Sequence, residues 1–385
     1  MANHQDNFSA SGTTKPGPSV PLASWRQGVR ISLVSPNRNQ HSIHTYFNTS
    51  PESPDGRWVL YFTSITSEGH EGEIHIVDRG TGEVEILARN VTVEDAHRVA
   101  CQQWISGGRR VVFHDLRDGA WRVVSVEVDT LEERVLAMGR QLAWGQPATD
   151  MVPLYGPHWD PGVHRDLELL NVETGEIRTA VTAEEVKATY PAEIARQFGD
   201  REISIFFPCL SPDLNRVFFK LSTPAGGDFR SKEASIREGL ICYDLQESRF
   251  LFMHERWGHP AWHPDSRRIL NIPNVLIHAD TGARREIMDL PRFPSSHPSV
   301  SPDGQLFTTE TQLKPFGGAK GQWGIVVGDL QGRDFKIVHR FENTKGATSW
   351  RPPHPHPSFS HDGRRLYFNV GTTEWTQLYV AERTD

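Results

Sequence analysis

The chain has 385 residues, 37% of them hydrophobic, with 11 Trp and 19 Phe, which is ample apolar mass for several domains or one large repeat architecture. A formal net charge of -7 argues against nucleic acid or an anionic membrane as a general partner. Cys101, Cys209 and Cys242 are too few and too far apart for a disulfide framework or a metal knuckle, and no apolar run is long enough to cross a membrane, so the reading is a cytoplasmic protein.

Residues 1–24 are rich in Ser, Gly, Pro and Asn and lack an apolar core, so they read as a disordered lead-in. From Trp25 onward one pattern recurs: Pro, two residues, Ser-Pro-Asp-Gly, then a short alternating apolar run. Ser50–Gly56 precedes Trp58–Phe62, Gln103–Gly108 precedes Val111–Phe113, and Pro208–Asp213 precedes Val217–Phe219. Pro260–Asp265, Pro298–Gly304 and Pro357–Gly363 repeat it, and a unit near Leu142–Trp144 is inferred from the gap. Each copy is followed by a second hairpin, as in Glu73–Asp78 with Val84–Leu87. Two hairpins make a four-stranded antiparallel blade, and the units predict an all-β, seven-bladed β-propeller over 25–385. The last unit stops after Gln377–Ala381, one strand short, and Val29–Val34 is a spare strand able to close the ring and remove an open edge. One insertion breaks the rhythm: Thr182–Glu185 is a capping box, and Val186–Phe198 reads as a helix beside one rim.

In a propeller the first strand of each blade lines the central channel, so the residue ahead of the repeat's Pro occupies one rim position throughout. That position reads Thr49, Gln102, Phe207, His259, His297 and His356, and His354 adds a further imidazole. His354 and His356 both precede proline, which disfavours the α region; extended geometry would put both rings on one side, with Cα atoms about 6.5 Å apart. His44 and His97 lie in loops ahead of blade starts, and their reach is left open. A lone His-Pro at a strand start is ordinarily an edge residue bonded to a carbonyl. Three in register, with a fourth beside them, suit one metal ion or one anion. Imidazoles take Zn, Mn, Fe, Ni or Cu. With no Cys in register, the set fits a site open to water or substrate better than a closed structural one.

These segments resemble oligogalacturonate lyases: His44–Phe47 in the first unit, Gly258–Asp265 in the fifth, His297–Gly304 in the sixth and Pro355–Phe359 in the last. The resemblance runs over most of residues 29–385, although the repeat signature alone is shared with TolB-type propellers. It implies a seven-bladed propeller that cleaves short pectin fragments by β-elimination, usually with Mn²⁺. By position it implies His297, His354 and His356 as metal ligands, His259 as catalytic base, and Arg237 or Arg230 as the assisting arginine. A fourth metal ligand, Gln in that family, is Arg351 here, and a guanidinium cannot ligate a metal. Either an extra water completes the metal, or Arg351 pairs with the substrate carboxylate, or the site is metal-free. Gln102, at the rim of the second unit, is a further candidate for substrate binding.

The chemistry asks for such residues in its own right. Eliminating a 4-linked uronate removes a C5 proton beside a carboxylate; a divalent ion or an arginine stabilises the developing charge, and a neutral imidazole accepts the proton. The expected partner is therefore an acidic oligosaccharide. Another uronate linkage, such as rhamnosyl-glucuronate, and a non-catalytic TolB-like propeller that binds a protein are the alternatives. The absence of a Gly-x-Ser-x-Gly elbow argues against a serine peptidase.

Overall fold

A computed structural model describes residues 22–225, 235–272, 274–287, 290–294, 297–332 and 334–384. Its strands form seven four-stranded antiparallel sheets, and the chain is a seven-bladed β-propeller. Blades 1 to 6 span 41–92, 103–138, 141–181, 204–254, 261–286 and 299–342. Blade 7 takes three strands from 358–383 and its fourth from Val29–Leu33, which pairs antiparallel with Gln377–Arg383. The ring is therefore closed by joining both ends of the described chain in one sheet, as the spare N-terminal strand predicts. The third blade lies where the gap in the repeat places it.

The Ser-Pro-Asp-Gly signature works locally. The Ser hydroxyl accepts the backbone N–H five residues on in blades 1, 4, 6 and 7: Trp58 to Ser53, Arg216 to Ser211, Leu306 to Ser301 and Arg365 to Ser360, at 2.9 to 3.0 Å. The turn needs a positive φ, which Gly304 supplies at 69° without a Cβ penalty, whereas blade 4 uses Leu214 at 62°. Neighbouring blades are also locked in register by indoles. Trp104 Nε1 donates to the Pro51 carbonyl of the blade before it (2.7 Å), and Trp262 Nε1 to that of Cys209 (2.9 Å).

Four details differ from the sequence reading. The described chain begins with a helix, Leu22–Gln27, that buries Trp25 against Phe359, so the boundary at 24 falls inside an element; residues 1–21 lie outside the described residues. The insertion is two helices, Ala183–Thr189 and Pro191–Phe198, because Pro191 disfavours helical geometry at Tyr190 and starts a new first turn. The capping box of Thr182 and Glu185 is present. The inner strand of blade 1 is His41–Ile43, not the segment beside Ser50, and it touches the sheet again only at the Glu52–Val59 bridge. Finally, no strand covers His354 and His356: the inner strand of blade 7 is only Ser358–Phe359, and His356 adopts φ 45°. Proline disfavours that conformation in the residue before it, so the surrounding packing imposes it.

Candidate functional site

The excursion of blade 1 between Ile43 and Glu52 carries Tyr46 and Phe47 into the interior, where both are buried. Tyr46 stacks on Trp144 with ring centroids 5.5 Å apart and lies 4.5 Å from His356; Phe47 lies 5.3 Å from His297. The two rings back a cluster of imidazoles. His259 is 4.2 Å from His297, ring to ring, and His297 is 5.1 Å from His354 and 4.6 Å from His356. His354 and His356 are 5.9 Å apart. A fifth ring, His97, comes from the loop ahead of blade 2 and lies 4.9 Å from His354 and 4.6 Å from His356.

Polar side chains on second strands fix the backbone that carries these rings. Asn271 accepts the His259 N–H at 2.8 Å and donates to the Trp257 carbonyl at 3.0 Å. Asn369 donates to the carbonyls of His354 (3.1 Å) and His44 (2.9 Å). In blade 6 the brace is Glu310, fully buried, whose carboxyl meets Nδ1 of His297 directly. A carboxyl behind a histidine fixes the orientation of the ring and leaves Nε2 as the nitrogen without that partner.

Burial holds every imidazole of the cluster neutral. It lowers His297 to about 3 and His354 to about 4, and puts His97, His259 and His356 well below the ordinary histidine value. Burial lifts the Glu310 carboxyl to about 8. Each ring therefore keeps one nitrogen with a lone pair at neutral pH. Several ring nitrogens have no partner among the described residues: Nδ1 of His259 and His354, and both nitrogens of the fully buried His356. Each such buried polar atom costs about 1–3 kcal/mol. A divalent ion or a hydrogen-bonding ligand would remove that cost, and an all-imidazole set with a carboxyl nearby fits Mn, Fe, Ni, Zn or Cu. The residues present thus fit a metal, and they fall into two overlapping sets of converging ligand atoms: His97, His297 and His356, and His297, Glu310 and His354.

Basic side chains lie beside the imidazoles. Lys220 Nζ sits 4.9 Å from the ring centres of Phe206 and Trp257 and 5.3 Å from that of Phe207. Burial, then Arg237 and Arg351, lowers its pKa well below the usual lysine value. Arg237 donates from Nη1 to Nε2 of His158 at 3.3 Å, and burial followed by Arg351 and Arg98 lowers it to about 10. Arg351 Nη1 stands 3.6 Å from Asp95 Oδ2, and Arg98 bonds Glu94 at 3.2 Å and the Tyr155 hydroxyl at 3.0 Å.

Of the residues singled out in sequence, the structure brings His259, His297, His354 and His356 together, with Arg237 and Arg351 among the basic side chains beside them. Gln102 is buried and its Nε2 is given to the Ile43 carbonyl at 3.2 Å, so its amide joins blades 1 and 2. Arg230 lies outside the described residues. Sequence reasoning missed Tyr46 and Phe47 as backing rings, Lys220, and the braces Asn271, Glu310 and Asn369. The one available signal was a carboxyl or carboxamide inside an otherwise buried strand, as in Leu306–Gln312.

No family model matches the chain, and no curated protein matches it in sequence. Solved structures do match in fold. An oligogalacturonate lyase in complex with manganese is 14% identical, covers 92% of this chain and 93% of its own, and superposes with a TM-score of 0.64. An oligogalacturonate lyase from Vibrio parahaemolyticus is 15% identical, with 92% and 94% coverage and a TM-score of 0.62. The Swd1 β-propeller domain of Myceliophteria thermophila is 10% identical, with 92% and 100% coverage and a TM-score of 0.53. The chain therefore shares the seven-bladed propeller fold that oligogalacturonate lyases adopt, over 92% of its length.

Proposed function

We propose that this protein is a lyase that cleaves short 4-linked uronic-acid oligosaccharides, of the oligogalacturonate type, by β-elimination. The observation that carries the reading is the convergence of neutral imidazoles beside the guanidinium groups of Arg237 and Arg351, on a fold shared with enzymes of that activity. His259 accepts the C5 proton of the uronate. Its neutral ring, held by Asn271, stands beside His297 with Nδ1 unpartnered. Arg237 and Arg351 pair with the substrate carboxylate and stabilise the charge that develops on it. The C4–O bond then breaks, the leaving sugar takes a proton from water and departs as its hydroxyl, a C4=C5 double bond remains, and His259 returns its proton to solvent.

His297, His354 and His356 would hold a divalent ion, Mn²⁺ by likeness to the manganese-bound lyase. Such an ion, when bound, supplies Lewis-acid neutralisation of the carboxylate next to the acidic C–H. Arg230 remains a proposed substrate contact, and Gln102, whose Nε2 is given to the Ile43 carbonyl, could contribute only its Oε1. No helix among the described residues is long and apolar enough to cross a membrane. A cytoplasmic site of action belongs to the same proposal, supported by three free buried cysteines.

The test is incubation of purified protein with oligogalacturonates and with rhamnosyl-glucuronate, with and without chelator, followed by ultraviolet absorbance of the unsaturated product. We expect product from oligogalacturonates, lost on chelation and reduced at least about 100-fold in His259→Ala. Absence of product from every uronide defeats the lyase reading and leaves a binding module.

A further inference from the structure

Of the two sets of ligand atoms that converge on the site, only one holds two imidazoles whose outward nitrogens are already committed. We infer that His97 is a metal ligand of this chain and forms the buried side of the seat together with His297 and His356. The inference rests on the metal-assisted reading above and adds a residue that lies outside every His-Pro segment.

His97 Nδ1 stands 3.1 Å from the Pro352 carbonyl. A ring nitrogen facing a carbonyl must be the protonated one, so Nε2 carries the lone pair. His297 is oriented in a similar way, with Nδ1 against Glu310, which leaves Nε2 for an ion. Both rings thus have the outer partner that orients a metal-ligating histidine. His356 completes the set. It is fully buried, neither of its ring nitrogens has a partner, and one lies within 4.8 Å of ligand atoms on both other rings. Its backbone is held at φ 45° ahead of a proline, a conformation that persists only where surrounding structure imposes it.

The competing set of His297, Glu310 and His354 is weaker as a seat. Glu310 touches Nδ1 of His297 directly and acts as its orienting group rather than as a separate ligand. His354 is only half-buried. It can still join: the six centroid separations among the four rings run from 4.6 to 6.0 Å. Four imidazoles bound to one ion through nitrogens at about 2.0–2.1 Å place their centroids roughly 5 Å apart. The backbone at Pro352 also explains the neighbouring cation. The residue before it, Arg351, brings no ligand atom, yet the Pro352 carbonyl orients His97. Arg351 itself extends toward Asp95. A seat of neutral imidazoles leaves the charge of the ion undiminished for an anionic sugar.

The test reads metal binding without any uronide. His97→Asn keeps an amide N–H where Nδ1–H meets the Pro352 carbonyl and removes the ligating nitrogen; His97→Ala is the second variant at the same atom. Mn²⁺ titration calorimetry and the visible spectrum of bound Co²⁺ are compared across wild type, both variants and His354→Asn, with thermal melting in chelator as the check on folding. We expect at least tenfold weaker Mn²⁺ binding and a changed Co²⁺ spectrum in both His97 variants, and a smaller loss in His354→Asn. Wild-type affinity and spectrum in His97→Asn would overturn the assignment, as would a wild-type protein that binds no divalent ion. Because no sugar is present, a failed lyase assay leaves this result standing. Product formation indifferent to chelator, in a protein that takes up no metal, removes the ligand assignment while the lyase reading survives.

Discussion

Arg365 reaches from blade 7 to Glu52 at the turn of blade 1, with Nε and Nη2 at 2.7 and 2.8 Å from the two carboxylate oxygens, and Tyr367 gives its hydroxyl to the same group. Glu52 is 1% exposed, so the pair is a buried ion pair across the seam where the ring closes. Removing one partner from such a pair strands a buried charge and costs about 3–5 kcal/mol, whereas replacing both by apolar or neutral groups costs much less. Arg365→Met should therefore lower stability by about 3 kcal/mol, and Glu52→Gln in the same chain should recover part of it. Denaturant midpoints of the two single variants and the double variant check this, and an additive double variant would contradict it. Nothing in the local sequence announces the pair. Glu52 reads as a turn residue and Arg365 as the polar start of a strand, and only ring closure makes them neighbours.

At the scale of elements, the repeat was readable because each blade pairs mostly with sequence neighbours through tight turns whose chemistry is local. Closure is different. Val29–Leu33 pairs with Gln377–Arg383 in unbroken register from Val29 opposite Arg383 to Leu33 opposite Tyr379, and the helix before it buries Trp25. A chain starting at Val34 would leave the edge of Gln377–Arg383 bare, and exposed edges recruit other edges. We expect that truncation to be largely insoluble or to elute as aggregates in size-exclusion chromatography; a monomer melting like the full chain would show that the strand is dispensable. The irregular elements were not readable. Phe207 and His356 hold φ of 61° and 45° although each precedes a proline. The local preference is overruled by packing around the channel mouth.

Across the whole molecule, neutral histidines in the interior set the pH response. Burial lowers His114 to about 3, and its Nδ1 accepts the Leu142 N–H at 2.9 Å, so the neutral ring is part of the native structure. The unfolded chain binds this proton below about 6.5, the native chain only below about 3. Between those values the unfolded state carries more protons. The stabilisation is therefore complete above 6.5 and is lost as pH falls toward 3, at about 1.4 kcal/mol per pH unit for this one residue. His114→Asn, which keeps an acceptor for Leu142, should flatten the acid side of a stability–pH curve by that amount. An unchanged slope would show that His114 is not held neutral.

The amino-acid sequence by itself determined the blade count, the closing strand and the rim position at which histidines recur. Those features come from turn chemistry and strand alternation, which act over a few residues and repeat. It did not determine which imidazoles face one another, that His97 joins them from another blade's loop, that Tyr46 and Phe47 back the cluster, or that Glu310, Asn271 and Asn369 brace it. Those depend on contacts between blades and on side chains placed against their local preference. Only the closed ring, by bringing distant segments to one channel mouth, decides such contacts.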